Sequence, residues 1–271
     1  MIGQKNILNW VDNNIDSFPH FIVLVGSSGS GKRTLSKTIA NKISCVYTEC
    51  EIRVDAVREV IDSSYNSQTK VMYCFADADN MKPQAKNAML KITEEPPENA
   101  YFCLTVQDSS SLLDTIKSRA YVFNMQEYKT NELSEYYYRS APSGNKEECN
   151  LFCTICSTPG EIDKLTEYGK DFYEYVQLVV DNISKVEPAN AFKSANKLAL
   201  RTEDGYDLRL FFKTFTKICL DNLSPDKLDE VEYWCDGIKV TTNALNKVNK
   251  MGVNKQQLYD SWVFNIREVW I

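Results

Sequence analysis

The residues with the clearest chemical potential lie near the start of the chain, where residues 26–34 read GSSGSGKRT and match the GxxxxGK pattern. Glycines let successive backbone N–H groups surround an anion, the following helix points its positive end at it, and the lysine reaches the terminal phosphates. An apolar run at residues 21–25 precedes the loop and a helical pattern follows it. The sequence therefore predicts a nucleotide-phosphate site. Its candidate residues are Gly26, Gly29, Ser30, Gly31, Lys32, Arg33 and Thr34.

The residue after the loop lysine departs from what nucleotide hydrolysis needs. That position normally carries Ser or Thr, because its hydroxyl holds Mg²⁺. Here it is Arg33, with Thr34 one place further on. A guanidinium is a cation with donors and no acceptor, so it cannot bind a metal ion. Two interpretations stay open: Thr34 replaces the missing hydroxyl, or metal-assisted hydrolysis is impaired.

A second departure lies in the acidic residues that follow an apolar run at residues 70–75. A working site needs an aspartate for Mg²⁺ there and a residue that prepares the attacking water. Aligned on the apolar run, Ala76 takes the place of the aspartate and Asp77 that of the water-preparing glutamate. In the shifted alignment Asp77 holds the metal and Ala78 stands at the base position. Either alignment lacks one carboxylate, so Asp77 is a remnant of a catalytic motif and Mg²⁺ binding is not expected.

The elements that must position these residues are strands and helices in alternation. Apolar runs typical of buried parallel strands occur at residues 21–25, 70–75, 101–106 and 121–123. Helical patterns occur at residues 1–19, 35–43, 54–61, 82–94 and 112–118. This alternation predicts an α/β domain whose mostly parallel sheet is covered by helices on both faces.

After about residue 125 the sequence predicts helices alone. Several short helices are expected over residues 130–180, with a break at 141–144 and a turn at 158–160. The rest of the chain has a helical pattern in which aromatic residues recur at core-like spacing. These are Phe211, Phe212, Phe215, Tyr233 and Trp234.

Composition excludes several classes of protein. The chain is 43% hydrophobic and 25% charged, which is typical of a globular protein, and it has no apolar run long enough for a membrane span. No secretory signal is visible, so a cytoplasmic location is expected. The net charge of −6, with scattered Lys and Arg, makes any DNA contact local or shared with other subunits. The nine cysteines are expected to be reduced thiols.

Cysteines also raise the question of a metal site. Cys149, Cys153 and Cys156 stand at helical spacing and would share one face of a helix. They could supply three metal ligands, but the only histidine, His20, is far away in sequence. Burial as small apolar side chains is the favoured interpretation.

Several motifs resemble those of the AAA+ subunits of bacterial clamp loaders. Residues 85–97 read AKNAMLKITEEPP, and residues 112–119 read LLDTIKSR, with Ala120 where the family carries cysteine. Residues 2–4 and 18–20 are also similar to family motifs. Among the subunits delta-prime is the closest match, since a basic residue often follows its P-loop lysine and its acidic motif is often degraded.

The resemblance implies three domains. These are an AAA+ nucleotide-binding domain over residues 1–125, a small helical lid domain over 126–183 and a helical collar domain over 184–271, through which subunits form a ring. Residues 242–245 with Asn249 are similar to the collar. The four-cysteine zinc module of many relatives is reduced here to Cys45 and Cys50, so no zinc is expected.

The resemblance also assigns a role to Arg119, and it indicates that the lid lacks its sensing arginine. In the family the arginine of the SR pair reaches a neighbouring subunit's nucleotide as an arginine finger. The alternative is an ion pair with a local carboxylate such as Asp114. Residues 159–163 resemble the family's lid motif, but Asp163 stands where a sensing arginine is expected. An acidic side chain there would repel a phosphate.

Three functions are compatible with these motifs. The first is a stator-like subunit of a ring that loads a sliding clamp onto primed DNA, with ATP or ADP bound and little hydrolysis. The second is an active motor subunit in which Thr34 and Asp77 or Asp79 complete the metal site. The third is a P-loop nucleotide kinase, which the missing arginine-rich lid and the helical C-terminal third disfavour.

Overall fold

A computed structural model describes residues 2–200, 204–224, 226, 228–248 and 252–271. The chain divides into two compact units. The N-terminal unit comprises the chain as far as Tyr136 together with Thr158–Gly160, and the C-terminal unit comprises Tyr137–Ser157 and Glu161–Ile271. The boundaries at residues 125 and 183 remain predictions, and Asn249 lies outside the described residues.

The N-terminal unit is built around a parallel sheet. Its strands are β1 (Phe21–Val25), β2 (Val46–Cys50), β3 (Val71–Phe75), β4 (Ala100–Val106) and β5 (Tyr121–Asn124). Its helices are α1 (Lys5–Asn13), α2 (Lys32–Lys42), α3 (Val54–Ser64), α4 (Pro83–Ala88), α5 (Leu90–Glu94) and α6 (Asp114–Lys117), and α7 (Thr130–Ser140) begins in this unit. In the described residues the strand order is β2-β3-β4-β1-β5, with every neighbouring pair parallel.

Both faces of the central strands β1, β3 and β4 are largely buried, as their continuous apolar runs predict. Successive residues of β1 point to opposite faces, so Phe21 and Val23 pack in one apolar cluster while Ile22 and Leu24 pack in another. The first cluster includes residues of α3 and α4, and the second includes residues of α1 and α2. Since all strands run in one direction, their carboxyl ends meet at one edge, where open α/β sheets bind ligands.

Strand β2 was not predicted, because its residues lack a continuous apolar run. The strand reads VYTEC, is mostly exposed and lies at the sheet edge, where it pairs with β3 alone. An edge strand has one hydrogen-bonding neighbour and less burial to impose an apolar pattern. The single helix expected over residues 82–94 is also wrong in detail, since Met89 separates α4 from α5.

Within its described residues, the C-terminal unit is helical apart from one isolated bridge. Its helices are α8 (Lys146–Ile155), α9 (Pro159–Asn182, which begins in the N-terminal unit), α10 (Pro188–Lys193), α11 (Leu208–Asp221), α12 (Leu228–Val248) and α13 (Lys255–Trp270). The turn expected at residues 158–160 is instead the start of α9, because Pro159 takes the first helical position, where its missing N–H costs nothing. The bridge joins Leu198 to Tyr206.

Aromatic side chains fill the core of this unit. Phe211, Phe212 and Phe215 on α11 are fully buried, as their spacing predicts. Tyr233 and Trp234 on α12 are half-buried and stack or pack edge-on against Trp270 of α13. Across the described part of the chain, no helix is both long and apolar enough to cross a membrane.

Candidate phosphate-binding site

The phosphate loop occupies the connection between β1 and α2. Its first residue, Gly26, donates its backbone N–H to Val106 O at 3.0 Å, which fixes the loop to the end of β4. Gly29 and Gly31 have φ angles of 74° and 86°, values that favour glycine because they bring Cβ of other residues close to the backbone. Gly31 is also the N-cap of α2, so the first backbone N–H groups of the helix point at the loop.

Lys32 lies buried under the loop. Its ammonium donates hydrogen bonds to the carbonyl oxygens of Gly26 at 2.6 Å and Ser27 at 2.9 Å. Burial lowers the pKa of Lys32, whereas the nearby charges of Asp77 and Asp79 raise it. The arrangement holds one cation at the loop, within electrostatic reach of two carboxylates at the carboxyl end of β3.

Arg33 points its guanidinium at two carboxylates. Its Nη2 donates to Asp77 Oδ2 at 2.8 Å, and its Nε lies 3.2 Å from Glu49 Oε1. Thr34, the next residue of α2, is exposed. Sequence reasoning identified Arg33 as a defect but did not foresee these partners, because Glu49 belongs to the unpredicted strand β2.

The acidic residues after β3 are engaged within the chain. Asp77 has a left-handed backbone (φ 53°), and its N–H donates to Thr105 Oγ1 at 3.0 Å. The Asp79 carboxylate accepts hydrogen bonds from the N–H groups of Gln107 at 2.8 Å and Asp108 at 3.4 Å. The Asp79 carboxylate is therefore hydrogen-bonded to backbone N–H groups, whereas the Asp77 carboxylate is paired with the Arg33 guanidinium.

A magnesium ion does not fit this set of side chains. The hydroxyl that should follow the lysine is replaced by Arg33, and the position of the metal-binding aspartate in the direct alignment is the buried Ala76. In the shifted alignment the ligand would be Asp77, which already holds a guanidinium at 2.8 Å. A divalent cation there would face a fixed positive charge, which opposes its binding.

A close backbone contact on the loop was missed from the sequence. The N–H of Gly160, at the start of α9, donates to Gly29 O at 3.0 Å, and Thr158 Oγ1 donates to Ser28 O at 3.4 Å. A Cβ placed on Gly160 would lie 2.7 Å from Gly29 Cα. The only signal in the sequence is the glycine after Pro159, which gave no indication of its partner 131 residues away.

We expect Gly160→Ala to destabilise the N-terminal unit by about 1–3 kcal/mol, the usual cost of inserting a methyl group where the backbone must move. Urea unfolding measures the change, with Gln84→Ala at an exposed position of α4 as the control. Equal stability of the Gly160 variant and the wild type would show that the two glycine backbones do not approach so closely.

Arg119 lies two residues beyond the end of α6 and pairs with a local carboxylate, as the alternative interpretation allowed, but the partner is Glu94. Its Nη2 lies 2.9 Å from Glu94 Oε1, at the end of α5, and its Nη1 donates to Thr115 O at 3.2 Å. The expected local alternative, Asp114, instead pairs with Lys117 at 2.6 Å. The side chain of Arg119 remains 40% exposed and that of Glu94 57% exposed, so both are accessible to solvent.

The residue at the lid position is exposed, and the three cysteines considered as metal ligands are buried. Asp163 is exposed on α9 in the C-terminal unit. Cys149, Cys153 and Cys156 are all buried, and burial raises the pKa of Cys153 to about 11. Among the described residues no three His, Cys, Asp or Glu side chains are grouped so as to hold a metal ion. The expected absence of zinc stays a prediction.

Comparison with known sequences finds similarity over part of the chain. A profile described as "DNA polymerase III, delta subunit" matches residues 48–129, which include β3 and Arg119. A delta-prime subunit of Haemophilus influenzae is 32% identical over 139 residues, covering 39% of this chain and 42% of that protein. A gamma subunit of Buchnera aphidicola is 28% identical over 159 residues, covering 46% and 44%. The chain thus spans less than half the length of these curated relatives.

Comparison with solved structures shows the fold. A gamma subunit-related protein of DNA polymerase III from Thermotoga maritima superposes with a TM-score of 0.53 at 18% identity, covering 97% of this chain and 99% of that one. The Holliday junction branch migration motor RuvB of the same organism gives a TM-score of 0.54 at 17% identity, covering 85% of each chain. The predicted P-loop α/β fold with its helical C-terminal region is thus confirmed, and part of the chain is similar to DNA polymerase III subunits, with gamma and delta-prime subunits both among its relatives.

Proposed function

We propose that the chain is a stator-like subunit of a ring that loads a sliding clamp onto primed DNA. In this role its own P-loop binds ATP or ADP with little hydrolysis, and Arg119 acts on the nucleotide of a neighbouring subunit. Its other partners would be the remaining ring subunits, and primed DNA would be reached through the assembled complex. A cytoplasmic location accords with a role in DNA replication.

The observation that carries the proposal is a binding loop beside an incomplete hydrolytic site. The loop supplies positive-φ glycines, the start of α2 and the Lys32 ammonium, which are the parts that hold phosphate. The metal positions are occupied by Arg33 and Ala76. Since phosphoryl transfer depends on positioning and on neutralising charge, the absence of metal ligands slows hydrolysis more than it weakens binding.

Arg119 supports the second half of the proposal. Its guanidinium is solvent-accessible, and its local partner is an exposed carboxylate at 2.9 Å. Exposed ion pairs of this kind contribute about 0–1 kcal/mol, so Glu94 holds Arg119 only weakly. A neighbour's polyphosphate carries several negative charges and would compete effectively for the guanidinium.

The alternative is an active motor subunit, in which Thr34 and Asp77 or Asp79 complete the metal site. In that case Thr34 would have to ligate Mg²⁺ from one residue beyond the usual position, and Asp77 would have to release Arg33. The two functions differ in one measurable quantity, which is the turnover of ATP by the isolated chain.

We expect the purified chain to hydrolyse ATP in the presence of Mg²⁺ no faster than its Lys32→Ala variant. Steady-state phosphate release measures turnover, and Lys37→Ala, an exposed lysine on the same helix, serves as the matched control. A loss of metal-assisted charge neutralisation amounts to several kcal/mol, or about 100-fold or more in rate. Turnover in the wild type and in Lys37→Ala that disappears in Lys32→Ala would contradict the stator-like role and establish a motor subunit.

A further inference from the structure

We propose that this P-loop takes a nucleotide polyphosphate without Mg²⁺, and that the guanidinium of Arg33 supplies the positive charge a metal ion supplies in a hydrolysing site. The inference rests on the proposed function in one respect, namely that the loop binds nucleotide at all. It goes beyond that function by naming the ligand as the metal-free nucleotide and by giving Arg33 a binding role.

The position of Arg33 is set by two strands and a helix. The residue lies in the first turn of α2, directly after Lys32. Its guanidinium is held by Asp77, just beyond the end of β3, and by Glu49 of β2. These strands are parallel to β1, so their carboxyl ends share the edge of the sheet at which β1 leads into the phosphate loop. The guanidinium is therefore fixed at the ligand-binding edge of the sheet.

The charges near the loop indicate that Arg33 lies close to the site of the phosphates. The charge of Arg33 contributes to lowering the pKa of Lys32, in addition to the larger effect of burial. Asp77 and Asp79 act on the same ammonium in the opposite sense. Lys32 and Arg33 thus form a pair of cations beside the loop, and the carboxylates reduce their mutual repulsion.

Arg33 also has free capacity for a ligand. A guanidinium has five N–H donors, and the two carboxylates face its Nε and Nη2 groups. Its side chain is 56% exposed. Planar guanidinium groups bind phosphate oxygens in a bidentate manner, so Arg33 can contact a phosphate while Asp77 and Glu49 orient it.

The same contacts disfavour a metal ion. Asp77 would have to bind a divalent cation while its carboxylate already pairs with Arg33 at 2.8 Å, and Asp79 already accepts backbone hydrogen bonds from Gln107 and Asp108. A guanidinium keeps its positive charge at every accessible pH, and a chelator cannot remove it as it removes a metal ion. Nucleotide binding should consequently not require Mg²⁺.

The test is to measure the affinity of the full chain for an ATP analogue with a non-hydrolysable β–γ bond, in excess Mg²⁺ and in excess EDTA. We expect the wild type to bind in EDTA at least as tightly as in Mg²⁺, because excess Mg²⁺ complexes the nucleotide and withdraws its metal-free form. Arg33→Thr removes a charge-assisted hydrogen bond worth about 1.5–3 kcal/mol. Its Kd in EDTA should therefore rise by about 10- to 100-fold, and Mg²⁺ should recover part of the loss through the new hydroxyl.

The control is Arg53→Ala, which removes an exposed arginine paired with Glu51 away from the loop and should leave both affinities unchanged. Binding by the wild type that requires Mg²⁺ would overturn the inference and leave nucleotide binding intact. Equal affinities of Arg33→Thr and the wild type in EDTA would overturn it as well. Failure of the folded wild type to bind in either condition would instead overturn nucleotide binding, and with it the proposed function of the loop.

Discussion

Replacing Arg119 by alanine is expected to lower ATP hydrolysis at the neighbouring subunit by about 10³-fold or more, the range measured when an arginine finger is supplied in trans. The reason is that Arg119 keeps its charge, is exposed and has a single carboxylate neighbour within the described part of the chain. The measurement compares two complexes isolated from cells through a tag on this chain, one with the wild type and one with Arg119→Ala. Their turnover of ATP is then compared at equal complex concentration.

Glu94 provides an internal test of this expectation. If the pair between Arg119 and Glu94 is only a resting contact, Glu94→Gln should change the turnover of the complex by no more than about fivefold, because an exposed ion pair is worth about 0–1 kcal/mol. If Arg119 serves only to form this ion pair, Arg119→Ala and Glu94→Gln should both change the stability of the chain, and neither should change the turnover of ATP by the complex.

Lys117→Ala is the matched control for Arg119→Ala. It removes a cation two residues away whose ion pair, with Asp114, is also local. We expect complexes with this variant to assemble and to hydrolyse ATP like the wild type. Equal turnover by the Arg119 variant and the Lys117 variant would show that Arg119 has no role at a neighbour's nucleotide. A failure of the Arg119 variant to join the complex would assign Arg119 to assembly, which also contradicts the finger.

Much of the N-terminal unit could be predicted because its signals are local. A continuous apolar strand such as β1 has to be buried on both faces, and a glycine-rich loop between it and a helix leaves little choice of conformation. The strands that form the centre of the sheet were accordingly found within one or two residues of their observed bounds. The absence of the metal hydroxyl was also visible, because it is a property of one position, Arg33.

What escaped prediction depends on contacts between distant parts of the chain. Strand β2 is stabilised by pairing with β3 and has no apolar pattern of its own, so nothing local marks Glu49 as a partner of Arg33. The approach of Gly160 to Gly29 has the same character. For Arg119 the sequence offered Asp114 as the nearest acid, whereas folding brings Glu94 closer, because α5 and α6 pack together.

The largest effect on stability is expected from Trp262→Ala in the C-terminal unit. Trp262 is 1% exposed and packs edge-on against Phe211 and Phe215, with ring centroids 5.3 and 4.9 Å away. Its indole N–H donates to the hydroxyl of Thr241 at 3.0 Å, and that hydroxyl is fully buried. Truncation would leave a large cavity and one unpaired polar group, so the free energy of unfolding should fall by about 3–5 kcal/mol.

Two further variants separate the causes of that loss. Trp262→Phe keeps an aromatic ring but removes the donor to Thr241, so it should cost about 1–3 kcal/mol, the penalty for an unsatisfied buried group. Phe264→Ala, two residues along α13 and 64% exposed, should change stability by less than about 0.5 kcal/mol. Urea unfolding followed by far-UV circular dichroism measures all three, and the transitions of the two compact units are fitted separately if they do not coincide. Equal costs for Trp262→Ala and Phe264→Ala would contradict the burial of Trp262 and the packing of α13 against α11 on which this unit depends.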